Sequence, residues 1–293
     1  LAQNGPLEPD LTETVRRLDG FLPLPSDRVN RLAREVADRG CRLALCDIAP
    51  LGIAVAREAG IPSVLLENFT WDWIYAGHPG VEGLKRHAAL MGELFQQAGH
   101  RIQAEPVCER VPGAPTVPPV SRRPRTTRPR MREVLGLPPG RPLVLVTMGG
   151  VPGSWGSFDR LRKKKDVRFL FPGGAPESRT DGNLTLLSPH SGFYHPDLIR
   201  AADAVVGKAG YSTLAEVHEA GLPFGYVLPG TFRESAVMAA FVRDRMPGMP
   251  IPEPRFLDGS WVDDLPALLS LARSPRRSTG GAEAAARLLL EIA

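Results

Sequence analysis

Between Ala201 and Phe241 the chain reads AADAVVGKAGYSTLAEVHEAGLPFGYVLPGTFRESAVMAAF, a succession that few folds accommodate. Residues 204–206 form a short apolar run suited to a buried strand, Gly207-Lys208-Ala209-Gly210 a glycine turn, and the residues from Tyr211 onward a helix. Two glycines ahead of a helix let the backbone approach a ligand with no Cβ in the way. The helix start adds unpaired N–H groups and the positive end of the peptide dipole. That combination holds an anion, most often a phosphate. Residues 225–228 then read as the next strand of a parallel sheet. Arg233 and Glu234 fall in the loop after it, on the edge where α/β sheets bind ligands. A charged ligand, a nucleotide first of all, is the expectation.

The rest of the second half has the same grammar. Residues 143–148 read as a strand running into Gly149-Gly150-Val151-Pro152-Gly153, a second glycine turn; 157–164 as a helix; 167–171 and 184–187 as strands; and 280–293 as a last helix. In the first half, a helix over 27–39 stops at Gly40, a strand over 42–46 ends at Asp47, and a helix over 51–59 leads to a strand over 62–66. This is a parallel βαβ unit. Glu67-Asn68-Phe69-Thr70-Trp71-Asp72-Trp73 follows as a loop at the same sheet edge, and a helix over 83–98 comes next. Residues 111–129 are rich in proline and arginine and carry no hydrophobic period, which marks an interdomain linker. Two α/β domains are expected, 1–120 and 121–293, with the last helix free to pack back on the first. The opening LAQNGPLEPD reads as mid-domain loop, so the N-terminal domain is expected to be incomplete.

A chain of 293 residues with 43% hydrophobic content supports two cores. The net charge of +4 is concentrated locally, in Arg122, Arg123, Arg125, Arg128, Arg130 and Arg132 of the linker. A solvated linker is preferred there to a nucleic-acid footprint. Cys41, Cys46 and Cys108 make neither a disulfide framework nor a Cys-x-x-Cys metal pair, so no metal is expected and a reducing cytoplasm is the default compartment. No apolar run approaches the roughly 20 residues of a membrane span, which leaves peripheral membrane contact open.

Asp203 to Glu216 with Ala220-Gly221-Leu222-Pro223, together with Phe232-x-Glu234 and the upstream Asn68 to Tyr75, resembles the nucleotide-sugar-binding pattern of the GT-B glycosyltransferases. The similar forms are the lipid-II-forming N-acetylglucosaminyltransferases and the glycosyltransferase-like half of plant L-arabinokinases. The resemblance implies an α/β GT-B architecture, two Rossmann-like domains facing a cleft. It further implies inverting, metal-independent transfer from a UDP-sugar to a small-molecule, saccharide or lipid acceptor, with no cofactor beyond the donor. By position, Gly149, Gly150 and Gly153 resemble the turn facing the diphosphate, and Gly210, Tyr211, Ser212 and Thr213 the helix start at the α-phosphate. Phe193, Tyr194 and His195 fall where a loop approaches uracil, and Glu216 matches the acid on the ribose. Glu234-Ser235-Ala236-Val237 departs from the Asp/Glu-x-x-Gln pattern that reads the sugar, and the glycine–histidine turn that supplies the usual base is absent from these residues.

Each assignment has a plainer alternative. Glu216 also fits a capping box with Thr213. Lys208 and Arg233 would add charge at a phosphate. Glu67, Asn68, Trp71 and Trp73 suit an acceptor side, although tryptophans are usually packing residues. Asp72 between the tryptophans suits a base accepting a hydroxyl proton or, equally, a helix cap. Asp47 is similarly placed. A catalytically silent nucleotide-sugar-binding module and an epimerase on the same fold are the rival functions.

Overall fold

The computed structural model describes residues 1–149, 158–275 and 280–292. Its first ten residues are an antiparallel hairpin, β1 (Ala2–Gly5) and β2 (Glu8–Asp10), and not the expected loop. Asp10 joins the hairpin to α1 (Leu11–Asp19) as an N-cap, its carboxylate accepting the Glu13 N–H at 2.8 Å. Then come α2 (Ser26–Asp38), β3 (Ala44–Asp47), α3 (Pro50–Glu58) and β4 (Ser63–Glu67), with β3 and β4 parallel. Helix α4 (Trp71–Ala76) begins inside the stretch expected to be a loop. After α5 (Glu82–Gln96) and β5 (His100–Ala104), the two-residue strand β6 (Thr116–Val117) adds a fourth parallel strand from within the expected linker. Backbone pairing alone makes it: the N–H groups of Gln103 and Glu105 donate to the carbonyls of Pro115 and Val117. Such pairing leaves no trace in a hydrophobic pattern.

The second half contains α6 (Arg128–Val134), β7 (Leu143–Thr147), α7 (Asp159–Lys163), β8 (Arg168–Phe171), β9 (Arg179–Asp181) and β10 (Leu184–Leu186). It continues through α8 (His195–Ala201), β11 (Ala204–Lys208), α9 (Tyr211–Ala220), β12 (Phe224–Val227), α10 (Ser235–Arg245) and β13 (Gly248–Pro250). Helices α11 (Glu253–Leu257), α12 (Leu265–Ser270) and α13 (Gly281–Ile292) follow. The sheet order is β13-β12-β11-β7-β8-β10-β9, parallel except for β9, which the sequence reading missed. Side-chain alternation explains the two covered faces. Leu143, Leu145 and Val205 pack against α6, α8, α9 and α10, while Val144, Val146, Ala204 and Val206 pack against α7, α11 and α12. In the first domain Leu65 and Cys46 face α3, α4 and α5, and Val64, Ile102 and Ala104 face α13. The last helix thus covers the second face of the N-terminal sheet. Its entry is close: a Cβ on Gly281 would lie 2.0 Å from the Pro118 carbonyl oxygen.

Chain order in the larger sheet reverses at β7, with β8 on one side and β11 on the other. The crevice beyond the carboxyl ends of β7 and β11 is therefore the place where such sheets bind ligands. Gly207 belongs to strand β11 and not to a ligand turn, which corrects the sequence reading. It is glycine because of its neighbour: a Cβ there would lie 1.7 Å from the Thr147 carbonyl oxygen of β7.

The arginine-rich segment is not a solvated linker. Asp203 accepts Arg128 (2.6 Å) and Arg273 (2.9 Å) on one oxygen, and Arg132 (3.1 Å) and the Leu143 N–H (2.9 Å) on the other. Buried Asp197 accepts the backbone N–H groups of Arg125 (2.6 Å) and Thr126 (3.0 Å). Arg123 pairs with Glu283 of α13, and Arg122 with Glu216 of α9. The connection between the domains is a strap held down by carboxylates, and acids 70 or more positions away cannot be matched to it from sequence.

Gly207→Ala tests the close approach. Backbone, not a flexible side chain, stands in the way, so the variant should lose about 3 kcal/mol of unfolding free energy. Urea denaturation followed by far-UV circular dichroism measures it.

Candidate functional site

The crevice opens into a cavity of about 210 Å³ between the domains. The C-terminal domain contributes Lys208 to Tyr211, Phe232, Glu234 and Met238. The N-terminal domain contributes Phe69, Trp71 and Ile74, with Leu1 and Gln3 beside them. Gly210 is the N-cap of α9 at φ −89° and ψ 155°, an extended geometry open to any residue, and nothing among the described residues lies within 4 Å of where its Cβ would be. Backbone strain therefore does not require glycine at this position. What a side chain would take away is the space over the helix start, where the N–H groups of Tyr211, Ser212 and Thr213 have no partner within the helix. Gly149, at φ +75°, follows β7 on the same edge. Gly150 and Gly153 lie outside the described residues.

Charge in the cavity is poorly solvated. Lys208 sits 4.4 Å from the Phe232 ring centroid and forms no ion pair among the described residues. Burial pulls its ammonium below the ordinary lysine range, partly offset by Glu234. Glu234 precedes α10 without capping it, and its Oε2 is buried without a hydrogen-bond partner among the described residues. Burial pushes its carboxyl above the ordinary range. Arg233, expected beside it at a phosphate, instead reaches across to the N-terminal domain, where it stacks 4.0 Å from the Trp73 ring and donates to the Trp73 carbonyl. Tyr211 turns the same way, its hydroxyl 3.1 Å from Cys108 Sγ and its ring 5.4 Å from Phe69. Burial raises the Cys108 thiol to about 11 and raises the Tyr211 phenol as well. Phe232 and Cys108 join the site through this packing. Of the two, only Phe232 carried a sequence signal, in its spacing from Glu234.

In the N-terminal domain, Glu67 ends β4 and is buried, its Oε1 accepting Gln103 Nε2 at 2.7 Å. Burial raises its carboxyl against the lowering effect of Gln103. Asn68 ties β4 to β5 by donating to the Ala104 carbonyl at 2.9 Å. Trp71 faces the cavity and packs edge-on against Phe69. Asp72, one position on in α4, is not in the cavity wall; its carboxylate lies against Gly92 of α5, and its Oδ1 is buried without a hydrogen-bond partner among the described residues. Thr70, not Asp72, occupies the N-cap of α4, so the helix-cap alternative for Asp72 does not hold. Asp47 is exposed at the end of edge strand β3, away from this cavity.

A polar chain leads from the crevice to the strap. His195, the first residue of α8, places Nε2 3.5 Å from Thr147 Oγ1 and Nδ1 2.8 Å from Glu216 Oε2. Glu216 is buried in the second turn of α9, which starts at Tyr211. Thr213 is thus inside the helix, and the capping box does not form. The other oxygen of Glu216 receives Arg122 Nε at 2.7 Å, and Tyr194 lies under Arg125 with 3.9 Å to its ring centroid. Among the described residues, no cluster of three or more His, Cys, Asp or Glu is placed to hold a metal, and no helix is long and apolar enough to cross a membrane.

The orphaned Glu234 oxygen makes a pH-dependent prediction. Its raised folded-state pKa means the folded chain retains a proton that the unfolded chain has released, so its ionisation costs stability as pH rises from 4.5. Glu234→Gln should therefore melt higher than the parent at pH 7. Thermal melts down a pH series should show the difference closing below pH 4.5, where both side chains are neutral.

No protein-family model matches the chain. It is similar to L-arabinokinase of Arabidopsis thaliana, 28% identical over 259 residues that cover 84% of this chain and 24% of that protein. The chain thus spans about a quarter of that relative's length. Among solved structures, the glycosyltransferase of kitacinnamycin matches with a TM-score of 0.65 at 18% identity, over 94% of this chain and 83% of that one. A UDP-glucosyltransferase from Polygonum tinctorium matches with a TM-score of 0.59 at 14% identity, over 96% and 81%. The fold of this chain is that of the GT-B glycosyltransferases, two Rossmann-like domains facing a cleft.

Proposed function

We propose that the chain binds a nucleotide-sugar, with uridine diphosphate as its nucleotide, and transfers the sugar with inversion to an acceptor held by the N-terminal domain. The observation that carries this reading is the start of α9, over which Gly210 leaves space open among the described residues, with the poorly solvated Lys208 beside it, at the chain-order reversal of the sheet. Helix N–H groups and a poorly solvated ammonium stabilise the oxygens of a departing diphosphate, so the proposed reaction needs no metal. Gly149 borders the diphosphate, the Tyr194–His195 turn the base, and Glu216 the ribose. Glu234 meets the sugar hydroxyls, its Oε2 being without a partner among the described residues.

In the transfer, an acceptor hydroxyl forms a bond to the anomeric carbon from the face opposite the diphosphate, and the bond to the diphosphate oxygen breaks with its electron pair. The hydroxyl proton passes to water in the cleft, because Asp72 lies off the cavity wall with its carboxylate against Gly92 of α5. Trp71 and Phe69 give the acceptor an apolar wall, suited to the less polar face of a saccharide, a small aromatic or a lipid-linked group. The silent-module reading keeps one observation in its favour: Glu216 and Arg233 are both already engaged within the protein.

Calorimetric titration with UDP and a set of UDP-sugars tests the binding half. A ligand at 100 times its dissociation constant should raise stability by about 2.7 kcal/mol, and an unchanged melting temperature with every nucleotide would remove the proposal. Gly210→Val should fold normally, because its backbone is extended and the space beyond is open, yet lose UDP affinity by at least about tenfold. Asp72→Asn should leave kcat and donor KM within roughly twofold of the parent, because its carboxylate lies off the cavity against Gly92 of α5. A fall in kcat of roughly 100-fold would instead make Asp72 the base.

A further inference from the structure

Glu216, to which the proposed function gives the ribose, is occupied by the chain itself. Its Oε1 lies 2.7 Å from both Nε and Nη2 of Arg122, and its Oε2 2.8 Å from His195. The two partners differ in burial. The Glu216 side chain is 3% exposed and that of Arg122 is 55% exposed, so the arginine can swing into water whereas the carboxylate cannot. The neighbouring aromatic is covered in the same way. Arg125 lies 3.9 Å and Arg122 5.4 Å from the Tyr194 ring centroid. A guanidinium on an aromatic face and a fork of N–H donors on a carboxylate reproduce the two contacts a nucleoside makes, a flat base on a ring and hydroxyls on an acid.

We propose that Arg122 and Arg125 stand in for the nucleoside, and that nucleotide binding displaces Arg122 from Glu216. The inference rests on the nucleotide reading above. Arg122 then sets affinity and takes no part in the chemistry, since every nucleotide must first outcompete it. Displacement is confined to one end of the strap, because Asp197 holds the backbone at Arg125 and Thr126 and Asp203 holds Arg128. The freed end leads back to β6 and to the Pro118–Pro119 backbone on which α13 begins. Donor occupancy is thereby coupled to the seam between the domains.

Calorimetry with UDP on the full chain compares the parent with Arg122→Ala and Arg122→Lys. Alanine should bind UDP about tenfold more tightly, the value expected for removing a charge-assisted contact that is half-exposed on one side. Lysine, a point charge without the fork, should fall between. Without ligand, Arg122→Ala should melt lower than the parent, since buried Glu216 loses a partner, and UDP should raise its melting temperature by more. In the parent, UDP should also speed amide hydrogen exchange over residues 121–123. If the parent binds UDP and Arg122→Ala binds no more tightly, the stand-in is overturned and the nucleotide site remains. If neither the parent nor either variant binds UDP, the nucleotide reading falls and the stand-in falls with it.

Discussion

The approach of β11 to β7 at Gly207 is the constraint on which the site depends. With a Cβ at that position 1.7 Å from the Thr147 carbonyl oxygen, any other residue would force the two strands apart. Their carboxyl ends carry Gly149 on one side and Lys208 and Gly210 on the other. A sheet that reverses its chain order between these strands opens there whatever its sequence. The tight seam holds the opening narrow, with the start of α9 on its lip. Gly210 contributes something different: among the described residues it leaves open space over a helix start whose N–H groups have no partner within the helix. Two glycines three positions apart thus serve unrelated ends, one facing a neighbouring strand and one facing empty space.

Around this seam, a few buried and half-buried carboxylates organise an otherwise ill-assorted set of cations. Asp203 gathers three arginines and a strand N–H, and Asp197 fixes the backbone of the domain connection. Asp197 is buried and Asp203 half-buried, and the less water reaches such a charge the more costly it is unpaired. The effect is a chain crossing from one domain to the other with little freedom at its C-terminal end. The joint between the domains is made of polar contacts as much as apolar ones. Arg233 on Trp73 and Cys108 against Tyr211 cross it on the cleft side, and α13 closes it from behind.

Much of this was legible in the sequence. The β3-α3-β4 unit, the β7 and β11 strands and the α9 start follow from short apolar runs bounded by glycine, which suit few structures besides buried parallel strands and the turns after them. Strands β6 and β9 were not legible. They are two and three residues long and owe their existence to backbone groups on a neighbouring strand. The Trp71 to Trp73 stretch looked like a cleft loop because aromatics and an acid cluster there, yet it is helical, with Trp71 on the cavity, Asp72 off it and Trp73 under Arg233.

What the sequence by itself determined is local: which segments become strands and helices, and that a helix N-terminus would stand uncovered behind Gly210 at a strand's end. Spacing and period settle such matters because they depend on residues a few positions apart. Which groups meet across the molecule was decided by tertiary structure alone. Glu216 is 94 residues from the Arg122 that holds it, and 21 from its His195 partner. Arg233 is 160 residues from the Trp73 carbonyl that receives it. Burial supplied the rest, because Lys208, Glu234 and Glu67 are ordinary charged residues in the sequence. Their perturbed ionisation arises only where packing has removed the water that would otherwise have solvated them.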